Sequence, residues 1–216
     1  MKFKGVIFDL DGTLLNSIED LAESMNTVLR NSNFPTHNLS DYKGYIGNGI
    51  LNLVQRSLPV SHSDNDSCKK YFNLMYEEYS QNCTNKTAPY EGIADLLDKL
   101  EAKNIKIGIL SNKADKLTKK AVQVLLSKWN FVCVEGLTTE ELKKPNPIKA
   151  LQISTEMDID PCDIIFVGDS GVDMETANNA GMHAVGVLWG FRSKTELIKT
   201  GAKSIISHPI ELIDIL

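Results

Sequence analysis

The chain has 216 residues, enough for one domain or for one domain carrying a smaller insert. Its 42% hydrophobic and 24% charged residues are ordinary for a globular protein and exclude disorder, collagen and a coiled coil as descriptions of the whole. Lys+Arg is 23 and Asp+Glu is 28, and the net charge of −5 provides no broad basic field for nucleic acid or anionic membrane. Positive charge for an anionic substrate must therefore come from a few local groups or a metal.

In chain order, short apolar runs occur at Val6–Phe8, Ile105–Leu110, Phe131–Val134, Ile164–Val167, Ala184–Leu188 and Ile205–Ile206. Runs this short and continuous suit strands covered on both faces, as in a parallel sheet. Helical repeats such as Ile93, Leu96, Leu97 and Leu100 lie between several of them. This alternation predicts an α/β fold with a doubly wound parallel sheet. From about Ser17 to Lys86 no strand is predicted. Ile18, Leu21, Met25 and Val28 make one helical stripe; Ile50, Leu53, Val54 and Leu58 a second; Tyr71, Leu74, Met75 and Tyr79 a third. A helical block between the first two core strands reads as an inserted cap, with the core in 1–16 and 86–216 and the cap in 17–85. No apolar run reaches the ~20 residues that span a bilayer, and the N-terminus lacks a signal-peptide core, so a cytoplasmic location is expected. Cys68, Cys83, Cys133 and Cys162 have no CxxC spacing and read as reduced structural thiols.

Chemistry-bearing residues cluster where the predicted strands run out, which is where open α/β sheets bind ligands. The first strand ends in Asp9-Leu10-Asp11-Gly12-Thr13. Two carboxylates this close repel by about 4 kcal/mol at 4 Å and an effective dielectric of 20, so a cation or a retained proton is needed unless they are simply turn residues. Gly168-Asp169-Ser170-Gly171-Val172-Asp173 supplies a second acidic pair, which also fits a helix N-cap. Ser111-Asn112 follows another strand, as a phosphate-binding hydroxyl or as a cap. Lys144 precedes Pro145 in a proline-stiffened loop, less mobile than a typical surface lysine.

Taken together, this constellation resembles the haloacid dehalogenase-like hydrolase superfamily, whose four motifs are matched by Asp9 to Thr13, Ser111-Asn112, Lys144-Pro145 and Gly168 to Asp173. Tyr45-Ile46-Gly47-Asn48-Gly49, Pro89-Tyr90-Glu91-Gly92 and Trp189-Gly190-Phe191-Arg192 make the chain most similar to the phosphoglycolate phosphatase-type branch. The resemblance implies a Rossmann-like core of strand order 3-2-1-4-5 and an Mg²⁺-dependent phosphatase acting on a small phosphorylated metabolite. By the same resemblance Asp9 is the nucleophile and Asp11 the acid and base. Thr13, Ser111 and Asn112 bind the phosphoryl group, and Lys144 balances charge on it and on Asp9. The metal falls to Asp9, the Asp11 carbonyl and Asp169, with Asp173 holding a metal-bound water or orienting its neighbours.

The cap is expected to select the substrate. Gly47, Asn48 and Gly49 form either a substrate-contacting loop or an ordinary interhelical turn, and Arg56 either meets a second anionic group or is solvated. Rival expectations are a pyrophosphatase, a sugar-phosphate mutase, or a non-catalytic phosphate-responsive module. No nucleic-acid, membrane or obligate protein partner is expected.

Overall fold

The computed structural model describes residues 2–216. In chain order the elements are β1 (Gly5–Phe8), β2 (Leu15–Asn16), α1 (Ile18–Asn31), α2 (Leu39–Tyr45), α3 (Gly49–Ser57), α4 (Asn65–Asn82), β3 (Ala88–Pro89), α5 (Ile93–Ala102), β4 (Lys106–Ala114), α6 (Asp115–Leu125), β5 (Cys133–Leu137), α7 (Ile148–Met157), β6 (Ile164–Gly168), α8 (Gly171–Asn179), β7 (His183–Val187), α9 (Lys194–Lys199) and β8 (Ser204–Ile206). Backbone contacts divide the chain into two compact units, Met1–Asn16 with Pro89–Leu216, and Ser17–Ala88.

The first unit is built on a six-stranded sheet of order β5-β4-β1-β6-β7-β8, with parallel pairing throughout. Its first five core strands have the expected 3-2-1-4-5 order, and β8 adds a sixth strand beyond β7. Side chains alternate strictly between the faces. Val6, Phe8, Ile107, Ile109, Ile165, Val167, Val185 and Val187 join one core with α5 and α6. Ile7, Leu110, Ile164, Phe166 and Ala184 join the other with α7, α8 and α9. Both faces are therefore dry, which is why the strands read as unbroken apolar runs. The exception is β5, expected at Phe131–Val134 and observed at Cys133–Leu137. It is an edge strand and only partly buried, so its apolar pattern is diluted by Glu135 and Gly136.

The second unit is helical among its described elements. α1 packs on α4, α3 on α4, and α2 on α1. The stripe Ile18, Leu21, Ala22, Met25, Val28 and Leu29 is the buried face of α1. α2 has no such stripe, since only Tyr42 is buried, and it is held instead by a reciprocal capping box between Asn38 and Asp41. Buried Asp20 accepts from the backbone N–H groups of Lys86 and Thr87 and, at 2.6 Å, from the Thr87 hydroxyl, tying α1 to the 86–87 segment. No helix of the described residues is long and apolar enough to cross a membrane. All four cysteines are free thiols.

Candidate active site

The carboxyl ends of the central strands bring most of the chemistry-bearing residues to one place. Asp9 follows β1, and its N–H donates to the Val167 carbonyl of β6 at 2.9 Å. Asp169 follows β6 directly, and Asp173 lies in the first turn of α8. One carboxylate oxygen from each of Asp9, Asp169 and Asp173 lies within 4.8 Å of the others, and all three residues are buried.

The Lys144 ammonium, with a side chain only 3% exposed, reaches into this cluster from the loop after β5. It donates to Asp9 Oδ1 at 2.7 Å, to Asp173 Oδ1 at 2.6 Å and to the Leu110 carbonyl at 3.1 Å. Its own backbone is pinned by Asn112, whose Oδ1 accepts from the Lys144 N–H at 2.9 Å and whose Nδ2 donates to the Lys144 carbonyl at 3.3 Å. Asn112 thus uses its amide oxygen and one amide N–H to fix Lys144, an arrangement that sequence spacing does not signal.

Two acids of the cluster are held away from their ordinary ionisation. Burial, reinforced by Asp173 and opposed by Lys144, pushes the Asp9 carboxyl up to about 7. Burial with Asp173 and Asp9 nearby raises Asp169 well above the usual carboxylate range. Burial disfavours the charged form of Lys144, but Asp173 and Asp9 outweigh it and hold the ammonium protonated. Three buried carboxylates, two of them paired with the Lys144 ammonium, form an all-oxygen donor set short of positive charge, which fits a hard divalent cation. Asp173 is the least available ligand. Its Oδ1 is taken by Lys144, and its Oδ2 accepts from both the Ser170 N–H and the Ser170 hydroxyl. The N-cap reading of this segment and its place in the cluster are both realised, since Ser170 and Asp173 form a capping box on α8.

Asp11 stands apart from the three-acid cluster and faces a different cation. Lys113 donates to its two oxygens at 3.0 and 3.1 Å, with the lysine side chain 3% exposed and the aspartate side chain 13% exposed. Sequence reasoning gave Lys113 no role, because a lysine beside a strand end is normally solvated. β4 runs on through Ser111 and Asn112 to Ala114, with a register shift after Leu110, and so buries Lys113 as well. Ser111 is buried and its hydroxyl accepts from the Lys113 N–H at 3.3 Å. Thr13 is buried with its hydroxyl unpartnered among the described residues. Gly12 adopts a φ of +94°, and a Cβ there would fall 2.4 Å from Asp169 Oδ2, so both the turn and the packing require glycine.

In the helical unit, Asn48 is the N-cap residue of α3, between Gly47 and Gly49 with φ of +105° and +78°. Arg56 Nη1 donates to the carbonyls of Gly44, at 2.9 Å, and Tyr45, at 3.3 Å, at the end of α2.

The family model described as haloacid dehalogenase-like hydrolase matches residues 6–187. The chain belongs to this family. It is 29% identical to the phosphoglycolate phosphatase of Chromobacterium violaceum over 99% of this chain and 96% of that protein. It is 27% identical to the N-acetylmuramic acid 6-phosphate phosphatase of Pseudomonas aeruginosa, over 100% of this chain and 96% of the relative. A solved chain from Lactobacillus delbrueckii subsp. bulgaricus superposes with a TM-score of 0.91 at 25% identity, covering 100% of this chain and 98% of its own. These relatives span the whole length of the chain, both units included, and the named ones are phosphoric monoester hydrolases.

Proposed function

We propose that this hydrolase is an Mg²⁺-dependent phosphatase that cleaves a small phosphomonoester, phosphoglycolate or a similar metabolite, through an aspartyl-phosphate. The class of reaction rests on the family and on its named relatives. The observation that carries the mechanism is the buried Lys144 bridge between Asp9 and Asp173 beside Asp169.

Asp9 attacks phosphorus, and the bond from phosphorus to the ester oxygen breaks. Asp11 gives a proton to the departing oxygen, then takes one from the water that attacks the aspartyl-phosphate. That second attack frees inorganic phosphate and restores Asp9. Lys144 offsets negative charge on Asp9 and on the transferring phosphoryl group. The unpartnered hydroxyl of Thr13 and the hydroxyl of Ser111 supply donors for phosphoryl oxygens. Asn112 holds Lys144 and is assigned, with Thr13 and Ser111, to positioning the phosphoryl group. Asp9, the Asp11 carbonyl and Asp169 would hold Mg²⁺, with Asp173 steering Lys144. When bound, the ion supplies the positive charge that the carboxylates lack and that phosphoryl transfer demands.

The chemical groups all belong to the first unit. We therefore assign substrate choice to the helical unit, at the 47–49 loop. Arg56, whose Nη1 donates to carbonyls at the end of α2, is assigned with this loop to meeting a second anionic group of the substrate.

The test is phosphate release from a panel of phosphorylated metabolites with Mg²⁺, beside acid-quench trapping of a phosphoenzyme. Asp9→Asn is expected to keep the fold and lose both turnover and the trapped intermediate. Normal turnover by the pure variant would overturn the assignment of the nucleophile.

A further inference from the structure

The segment Trp189-Gly190-Phe191 follows β7 and has no part in the bond making and breaking proposed above. It nonetheless meets two of the strand ends that carry the chemistry. The Trp189 indole N–H donates to the Thr13 carbonyl at 2.9 Å, and the Phe191 backbone N–H donates to Asp169 Oδ2 at 2.7 Å. Between these two bonds the Gly190 backbone lies flat against both partners. A Cβ on Gly190 would fall 2.3 Å from the Asp169 Cβ and 2.5 Å from the Gly12 carbonyl oxygen. Gly190 has no positive φ, so the position uses the missing side chain and not the backbone freedom of glycine. The contact is mutual, because a Cβ on Gly12 would fall 2.4 Å from Asp169 Oδ2 and 2.8 Å from Phe191 Cδ2.

We infer that Trp189, Gly190 and Phe191 form a positioning clamp that fixes the Asp169 carboxylate against the Gly12–Thr13 turn. The inference rests on the roles assigned above to Asp169 and Thr13. The Phe191 N–H occupies one oxygen of Asp169 and sets the plane of its carboxylate, which leaves the other oxygen for a cation. The Trp189 indole holds the Thr13 backbone, so that its unpartnered hydroxyl has a fixed direction. All three residues act through others and are positioning residues.

The experiment compares the wild type, Trp189→Phe and Gly190→Ala. Mg²⁺ affinity is read by isothermal titration calorimetry on substrate-free protein, kcat and KM on an aryl phosphate, and the melting temperature as a check on folding. Gly190→Ala is expected to weaken Mg²⁺ binding about 10–100-fold, the scale for disturbing a group that orients a metal ligand, with part of the rate recovered at high Mg²⁺. Trp189→Phe keeps an aromatic ring and loses one uncharged hydrogen bond. Its kcat is expected to fall about 2–13-fold while its Mg²⁺ affinity stays that of the wild type. A purely structural role would lower the melting temperature and leave Mg²⁺ affinity and kcat per folded molecule unchanged, and that result in both variants would overturn the clamp. A wild type that neither binds Mg²⁺ nor releases phosphate would overturn the function proposed above, and the clamp with it.

Discussion

In a cluster of three buried carboxylates, Lys144 bridges Asp9 and Asp173 and is the residue on which their charge balance depends. Breaking a buried ion pair by removing one partner costs about 3–5 kcal/mol, because the other charge is left without compensation. Lys144→Met is therefore expected to destabilise the metal-free protein by about that amount at pH 8. The loss should shrink at pH 5, where Asp9, pushed up to about 7 in the folded chain, can take a proton instead. Urea unfolding in chelator at the two pH values measures this, and an equal loss at both would contradict it. Asn112 and Lys113 show how closely the neighbouring side chains are tied together. One amide fixes the Lys144 backbone, and one buried ammonium is committed to Asp11.

At the scale of elements, the strands are set by burial on both faces and the helix ends by local polar groups. α8 begins at a capping box whose aspartate also belongs to the acid cluster, so a single residue sets the start of the helix and the position of Lys144. In the helical unit the corresponding anchor is Asp20. Its carboxylate satisfies two backbone N–H groups and a hydroxyl in the 86–87 segment, 66 residues further along the chain. Asp20→Ala would leave these donors unpaired, and each bond to a charged acceptor is worth about 1.5–3 kcal/mol. The variant is expected to lose about 3 kcal/mol of stability in thermal or urea unfolding, with Asp20→Asn recovering part of it. An unchanged midpoint would show that the segment is held by other means.

For the molecule as a whole, the acid cluster links stability to pH and to metal. The Asp9 carboxyl has an ordinary value of 3.8 and is raised to about 7 in the folded chain. Between those values the folded chain holds a proton that the unfolded chain has released. The stability this contributes is complete below about pH 4 and is lost as pH rises through 7. In chelator the melting temperature is therefore expected to fall across that window. Added Mg²⁺ should raise it more at pH 8 than at pH 5, because the ion competes with protons for the same oxygens. A shift in the melting temperature that is equal at both pH values would contradict this. The division of labour between the units gives a second expectation. Asn48→Ala should change relative kcat/KM among natural phosphoesters by about 2–13-fold, the effect of one uncharged hydrogen bond, and change an aryl phosphate much less. Parallel specificity profiles decide this, and an equal fall on every substrate would point to folding or closure instead.

The sequence by itself determined the α/β class, the helical insert and the list of residues at the strand ends. Strands dry on both faces leave unbroken apolar runs and helices with one buried stripe leave a period of 3.6, and both signals survive in the linear chain. It could not show α2, which buries one aromatic residue and rests on a cap, or the true place of β5, whose exposed edge dilutes its apolar run. It also could not show which charges pair. Lys144 meets Asp9 across 135 residues, Lys113 meets Asp11 across 102, and Trp189 meets Thr13 across 176. Only the parallel stacking of β4, β1, β6 and β7 decided those pairings. It sets their carboxyl ends side by side, where burial removes water and leaves each charge to be satisfied by the neighbours the sheet supplies.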